Sequence, residues 1–93
     1  MLHLVTGSPN QGTALAQASA AAAAGDDLVL MHAAVLAVRG ATSFPPGVRI
    51  HAMAADLAAR GIDPGAAAPG VAALDDAGLV ALALRHAQCL TWS

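Results

Sequence analysis

The sequence has few charged residues, and they are of only two kinds. Only 11% of the 93 residues are charged, whereas globular proteins carry about 25%. Lysine and glutamate are absent, so every formal charge comes from an arginine or an aspartate. Surfaces that bind nucleic acids contain clustered basic residues, but the four arginines are spread along the chain and the net charge is −2. We therefore expect no direct contact with nucleic acid.

The small number of charged residues also limits how polar the surface of the folded chain can be. So few charged side chains cannot cover the surface of a small domain. The chain is 57% hydrophobic but only 2% aromatic, so its apolar residues are mostly alanines and small aliphatic residues, which bury little area each. We expect either an alanine-rich surface or a surface covered by partner chains, and self-association when the chain is purified alone.

Cysteine and long apolar segments are scarce as well. The single cysteine, Cys89, cannot form an internal disulfide, which is typical of a reducing compartment. The longest apolar run, residues 28–38, contains His32 and is shorter than the roughly 20 residues that span a bilayer. The first residues have neither the basic region nor the long apolar segment of a signal peptide. These absences predict a cytoplasmic, unprocessed protein with no membrane segment.

What remains is a regular alternation of strand and helix patterns. Apolar runs predict strands at 2–6, 28–32, 48–52, 71–74 and 89–92, and alanine- and leucine-rich segments predict helices at 13–24, 33–39, 54–60 and 78–86. The run from Leu28 is continuously apolar, as in a strand buried on both faces of a parallel sheet. We predict an α/β fold: a single domain over 1–93, a three-layer sandwich with a mostly parallel sheet of about four or five strands flanked by helices.

Local signals predict where the helices begin and end. Ser8 is predicted to cap the first helix, and Gly25 to end it. Asp75 and Asp76 lie where acidic residues favour the N-terminus of the last helix. The segment 62–70 is rich in alanine, glycine and proline and has no pattern of its own, so we expect a loose connection there, with disorder as one alternative.

Several short motifs follow one another in a fixed order. The chain begins Met1-Leu2-His3, places Gly25-Asp26 before an apolar strand, has Ala59-Arg60-Gly61 in its middle, and carries Arg85-His86 six to seven residues before Trp92. Each motif alone is common in proteins. Their order and spacing over the whole chain resembles the TusB/DsrH family.

The resemblance implies a role in sulfur transfer. Members of this family are small α/β subunits that assemble with TusC/DsrF-like and TusD/DsrE-like subunits into a heterohexamer. That cytoplasmic complex passes persulfide sulfur between proteins, either towards 2-thiolation of the wobble uridine of certain tRNAs or in dissimilatory sulfur oxidation. The catalytic cysteine lies on the TusD/DsrE-like subunit. The resemblance therefore implies a non-catalytic subunit without a cofactor, and both branches fit this sequence.

Two departures from the family weaken a direct role in sulfur chemistry. Many members have a cysteine just after the first strand, where this chain has Asn10-Gln11-Gly12-Thr13. The family also tends to have an Asp-Gly-Val sequence after the second strand, and Ala33-Ala34-Val35 stands there instead. We therefore expect that this chain does not carry the sulfur itself.

Cys89 is the one residue that could carry sulfur, with His86 and Arg85 as candidate activating neighbours. Persulfide transfer needs an accessible thiolate, favoured by a nearby positive group. His86 lies three residues before Cys89 and Arg85 four, which makes activation conceivable. Unpaired cysteines are among the most often buried residues, however, and Cys89 falls in a predicted strand. We favour a packed, inert thiol over a sulfur carrier.

The histidines give little support for a metal site. Three of the four lie in predicted strands that can be neighbours, but no pair has the short ligand spacing of a zinc site; they are His3, His32, His51 and His86. We expect no metal. We interpret Arg85 and His86 as residues that satisfy the C-terminus of the last helix.

The roles of two further residues and one further class of function stay open. Trp92 either anchors a subunit interface or fills the end of the core. Ser8 is explained better as a helix cap than as a nucleophile, because no motif links a histidine–carboxylate pair to it. The alternative from another class is a stand-alone domain that binds a small ligand or nucleotide at the carboxyl ends of its strands.

Overall fold

The structure, a computed structural model, describes residues 1–39, 43–63 and 70–93. Its elements are β1 (Leu2–Val5), α1 (Ala14–Ala21), β2 (Asp27–Leu30), a 3-10 helix (His32–Arg39), β3 (Arg49–Met53), α2 (Ala54–Ala59), β4 (Val71–Leu74), α3 (Asp76–Arg85) and β5 (Cys89–Trp92). The predicted alternation of strands and helices is confirmed. The bounds of β4 and β5 agree with the predicted ones.

The five strands form one sheet in the order β4-β3-β2-β1-β5. All the strand pairs within it are parallel, which confirms the predicted α/β fold. β2 lies in the middle with each of its residues buried, as expected of an apolar run covered on both faces. The chain places β2, β3 and β4 on one side of β1 and then returns to add β5 on the other side.

Helical segments lie on both faces of the sheet, so the described residues form three layers. On one face, α1, the 3-10 helix and α2 pack on the larger core, whose members include Val5, Leu28, Leu30, Ile50 and Leu57. On the other face, Leu82 of α3 packs in a smaller cluster with Leu2, Val29 and Met53. In the described part of the chain, this second face depends on α3 for its cover.

The first helix differs from the local prediction at both ends. Ser8 does not cap it, because its Oγ instead accepts the N–H of Asn10 at 3.2 Å and α1 begins later. The helix ends at Ala21, and Gly25 adopts φ +92° in the turn beyond. Alanine propensity alone predicts a longer helix, but helices in proteins are stabilised mainly by packing, and the buried residues of α1 stop at Ala18.

The later boundaries agree better with the local signals. Asp75 caps α3 by accepting the N–H of Gly78 at 2.7 Å. The predicted helical turn at 33–39 is a 3-10 helix that begins one residue earlier. Residues 64–69 of the predicted loose segment lie outside the described residues. No helix in the described ranges is long and apolar enough to cross a bilayer.

Candidate functional site

A buried carboxylate binds residues from two other elements at the amino edge of the sheet, where the strands begin. Asp27 is the first residue of β2 and its side chain is fully buried. β3 is parallel to β2 with Arg49 opposite Asp27. Nε and Nη2 of Arg49 donate to the two carboxylate oxygens, each at 2.9 Å. This bidentate geometry makes arginine–carboxylate ion pairs strong.

Two histidines complete the cluster around Asp27. Nε2 of His51 lies 2.8 Å from Oδ1, and Nε2 of His86 lies 2.7 Å from Oδ2. An ionised carboxylate only accepts hydrogen bonds, so Nε2 carries the proton in both rings. We call Asp27, Arg49, His51 and His86 the Asp27 cluster. It ties β2 to β3 and to the C-terminal end of α3.

The contacts of the cluster keep Asp27 ionised. Burial opposes the charge, but the hydrogen bonds from Arg49, His51 and His86, together with the charge of Arg49, hold the pKa of Asp27 well below its usual value. The same ion pair raises the pKa of Arg49. A carboxylate offers about four acceptor positions, and four N–H groups already occupy them. Asp27 therefore serves to hold the fold and has no free lone pair for proton transfer.

Asp26 forms a second polar network next to the first. Its carboxylate accepts from the amino group of Met1 at 2.8 Å, from the N–H of Ala23 at 2.9 Å and from Nε2 of the buried His3 at 3.0 Å. These bonds, with the one from Ala23 foremost, hold the pKa of Asp26 well below its usual value. Nδ1 of His3 in turn accepts the indole N–H of Trp92 at 3.2 Å.

Trp92 therefore contributes to the interior of this chain. Its ring stacks on that of His3 with centroids 6.2 Å apart, and it packs, half-buried, against the larger core. This is the core-filling alternative for Trp92. A contact of its exposed part with another subunit stays a prediction.

Cys89 is exposed, so the expectation of a packed thiol is wrong. Among the described strands, β5 pairs with β1 alone, with Cys89 opposite Leu2, so it forms an edge of the sheet. Within residues 70–93, all of which the structure describes, no hydrogen bond joins the thiol to His86 or Arg85. His86 donates to Asp27, and Arg85 is exposed in the last turn of α3. His86 thus directs its Nε2 to Asp27, and activation of Cys89 by His86 or Arg85 stays a prediction.

The fourth histidine lies at the opposite edge of the sheet. His32 follows β2 at its carboxyl end and has φ +50°. Its N–H donates to Oδ2 of Asp56 at 2.9 Å, and its Nδ1 lies 3.9 Å from Oδ1 of the same carboxylate. The imidazole is 66% exposed, whereas those of His3, His51 and His86 are 1%, 15% and 11% exposed.

The places where a small ligand or metal would be expected offer little to bind one. The strand order reverses between β1 and β5, the position at which open α/β sheets bind ligands; there Gly7 is closely approached, with Ser93 and Ala14 each 3.1 Å from where a Cβ would stand. An open cavity of about 280 Å³ beside α1 has no charged residue in its lining, which comprises Pro9, Gly12, Leu15, Ala16, Ser19 and Ser43. Among the described residues, no three His, Cys, Asp or Glu side chains are grouped to hold a metal.

Fold and site together define a class of protein: an all-parallel, doubly wound α/β chain whose polar residues at the amino edge serve mainly structural contacts. The sequence profile of one family, described as DsrH like protein, matches residues 7–89. The chain therefore belongs to the DsrH-like family, as the resemblance to TusB/DsrH predicted. No curated protein matches the chain.

Sequence reasoning found part of this arrangement. It singled out His86 through the Arg85-His86 motif, but it assigned His86 to the helix terminus, whereas the ring reaches Asp27. It did not single out Asp27, and it considered His51 only as one of four histidines that lack the spacing of a metal site. One signal was available: an aspartate directly before a strand buried on both faces is a candidate for burial with that strand, and a buried carboxylate needs partners.

Proposed function

We propose that the chain is a non-catalytic subunit of a cytoplasmic sulfur-relay complex that transfers persulfide sulfur. Its partners are TusC/DsrF-like and TusD/DsrE-like subunits, assembled into a heterohexamer with the whole chain, 1–93, as one domain. The complex serves 2-thiolation of the tRNA wobble uridine or dissimilatory sulfur oxidation. The observation that carries this proposal is membership of the DsrH-like family over residues 7–89.

The contacts of the titratable side chains support a non-catalytic role. His51 and His86 are bound to Asp27, and His3 is bound to Asp26. The loop after β1, where many members of the family carry a cysteine, is Asn10-Gln11-Gly12-Thr13. The chain thus lacks the family's thiol, and its buried histidines are already committed to structural hydrogen bonds.

The surface supports assembly with other chains. Several large apolar side chains are exposed along α3 and β5, among them Val80 (58%), Leu84 (83%) and Leu90 (43%). Neither edge strand, β4 or β5, contains a charged residue or a proline, the residues with which soluble proteins usually protect a sheet edge. Two aspartates of an already small set of charges, Asp26 and Asp27, are largely or fully buried in networks within the chain. Such a surface favours burial by partner subunits.

The proposal is tested by a pull-down from native cell extract with this chain as bait and mass spectrometry of the retained proteins. We expect two small subunits, related to one another, in amounts equal to the bait. The retained complex is then assayed for transfer of labelled persulfide sulfur. If nothing is retained and the bait stays monomeric, the chain is not such a subunit.

A second candidate function is sulfur transfer by Cys89 itself, which its exposure at the edge of the sheet favours. The variant Cys89→Ser separates the two candidates because it removes the thiol with little change in size. If this chain is non-catalytic, the reconstituted complex transfers sulfur at the wild-type rate. Loss of transfer by an intact complex assigns the carrier role to Cys89.

A further inference from the structure

The backbone of His32 is held in a conformation that its side chain does not need for packing. Its φ of +50° lies in the left-handed region, which disfavours residues with a Cβ, and the other described residues with positive φ are glycines. A buried contact of the ring cannot account for the conformation, since the imidazole is 66% exposed. Backbone strain that persists without a packing reason points to a function of the residue.

Asp56 holds this conformation from a neighbouring element. It lies in the first turn of α2, directly after β3, and its Oδ2 accepts the N–H of His32 at 2.9 Å. The other carboxylate oxygen lies 3.9 Å from Nδ1 of the ring. Nδ1 is thus the ring nitrogen next to Asp56, and the 66% exposure of the imidazole makes Nε2 the nitrogen that is available to a partner.

His32 and Asp56 lie at the carboxyl edge of the sheet, the edge at which α/β proteins bind ligands. β2 and β3 are neighbours in the interior of the sheet, and His32 and Asp56 follow their carboxyl ends. Open α/β sheets bind ligands beyond the carboxyl ends of their strands, which is the edge where the pair lies, although the strand order reverses elsewhere, between β1 and β5. The loop that follows β1 opens at the same edge.

We propose that His32 is the residue with which this chain contacts an anionic sulfur group, the thiolate or persulfide of a partner's cysteine, and that Asp56 is its positioning residue. The inference rests on the proposed function, which supplies a partner with such a group. In its imidazolium form, with Nδ1–H towards the Asp56 carboxylate, His32 donates its Nε2–H to the sulfur anion and favours the anionic over the neutral form. No covalent bond forms or breaks on this chain.

The test compares how tightly the chain binds its captured partner subunits when their reactive cysteine is persulfidated, reduced or blocked by a neutral carbamidomethyl group. We expect wild type to bind the persulfidated partner about ten-fold or more tightly than the blocked one, the usual effect of one hydrogen bond to a charged group. His32→Gly removes the donor but accepts positive φ. It should abolish this preference and leave binding to the blocked partner unchanged.

Two further variants separate recognition from folding. His32→Asn keeps a side-chain donor in a residue that tolerates positive φ, and it should retain part of the preference. Asp56→Ala should lower the preference, and Asp56→Asn should restore it, because the amide oxygen still accepts the N–H of His32. A merely structural role of the pair would lower binding to all partner forms equally.

The outcomes distinguish this inference from the proposed function. If partners are captured but His32→Gly keeps the wild-type preference, His32 does not contact the sulfur anion, and the proposed function stands. If His32→Gly binds every form more weakly by the same factor, the residue is an ordinary interface contact and the inference is wrong. If no partner is captured, the proposed function fails and the inference fails with it.

Discussion

The two edges of the sheet use histidine and aspartate in opposite ways. At the amino edge, Asp27 is fully buried and its acceptor positions are filled by Arg49, His51 and His86. At the carboxyl edge, the Asp56 carboxylate accepts the backbone N–H of His32 and lies 3.9 Å from Nδ1 of an imidazole that is mostly exposed. The same residue types thus stabilise the fold at one edge and are available for contact at the other. What differs is the number of partners that the surrounding strands supply.

The largest expected effect comes from removing the centre of the amino edge. Asp27→Ala leaves Arg49 and two histidines without their shared acceptor, and we expect a loss of about 3 kcal/mol or more of the free energy of unfolding. A small domain has roughly 5–15 kcal/mol in total, so the variant should melt far below wild type. Urea denaturation followed by circular dichroism measures the loss. Asp56→Ala is the matched control at the other edge and should lose much less; equal losses would contradict the comparison.

Acid should weaken the amino edge through Asp26 and Asp27. Both carboxyls have folded-state pKa values well below the 3.8 of an ordinary aspartate, so the unfolded chain binds more protons as the pH falls. Their contribution is therefore complete above about pH 5 and is lost progressively below about pH 4. Urea midpoints measured from pH 7 to pH 2 test this.

Asp26→Asn provides the reference for the acid titration. It removes one of the two carboxylates. The contributions of the other titrating groups to stability cancel when the variant and the wild type are compared at each pH. The stability of the variant should fall less between pH 4 and pH 2 than that of wild type. Parallel curves over that range would show that Asp26 does not contribute.

A smaller effect is expected from His86, which joins α3 to the Asp27 cluster. His86→Ala removes one hydrogen bond to a charged, buried group and should cost about 1.5–3 kcal/mol. Hydrogen exchange should show the loss mainly as reduced protection of α3, because His86 is the polar anchor of that helix. His86→Gln keeps an N–H donor and should recover part of the stability. Uniform loss of protection across the sheet would argue against a local role.

The carboxyl edge should respond in the opposite direction. His32→Gly removes a side chain that is 66% exposed and relieves a positive φ that glycine adopts freely. We expect the free energy of unfolding to stay equal or to rise by up to about 1 kcal/mol. Thermal melting of His32→Gly and of His86→Ala directly compares what the two histidines contribute to stability. A marked loss of stability on His32→Gly would mean that its imidazole supports the fold.

The smallest effect on stability is expected on the outer surface of α3. Leu84 is 83% exposed, so Leu84→Asp should change the free energy of unfolding by less than about 0.5 kcal/mol. It should nevertheless weaken capture of the partner subunits, because it places a charge on the apolar surface. Gln17→Asp adds the same charge on an exposed position of α1 and serves as the control. Equal capture by both variants would exclude this part of α3 from the interface.

Much of the fold could be predicted from the sequence because its signals are local. β4 and β5 have the predicted bounds, and the apolar run from Leu28 indicated a central parallel strand, since such a run needs cover on both faces. Asp75 caps α3 as its position before the helix suggested. Ser8 shows the limit of such signals. Its hydroxyl bonds to Asn10 two residues away, and a turn competes with the helix for the same cap.

The candidate site was much harder to predict because its contacts are distant in sequence. Arg49, His51 and His86 lie 22, 24 and 59 residues from Asp27, and no local pattern encodes which of them meet. The burial of Cys89 was predicted wrongly for a related reason. Its strand pattern is correct, but whether a strand is central or at an edge depends on the order of strands in the sheet.

The sequence by itself determined the elements, the α/β class and the family, because helix and strand patterns, turn residues and motif order are properties of neighbouring residues. Only the tertiary structure decided which polar groups are buried and which are exposed. Asp27 is the centre of its cluster because parallel pairing places Arg49 opposite it and because the C-terminal end of α3 brings His86 to it. His32 is exposed but fixed in its conformation because Asp56 of α2, the helix that follows β3, accepts its backbone N–H. Burial and partnership are set by the packing of distant segments, which a linear pattern does not contain.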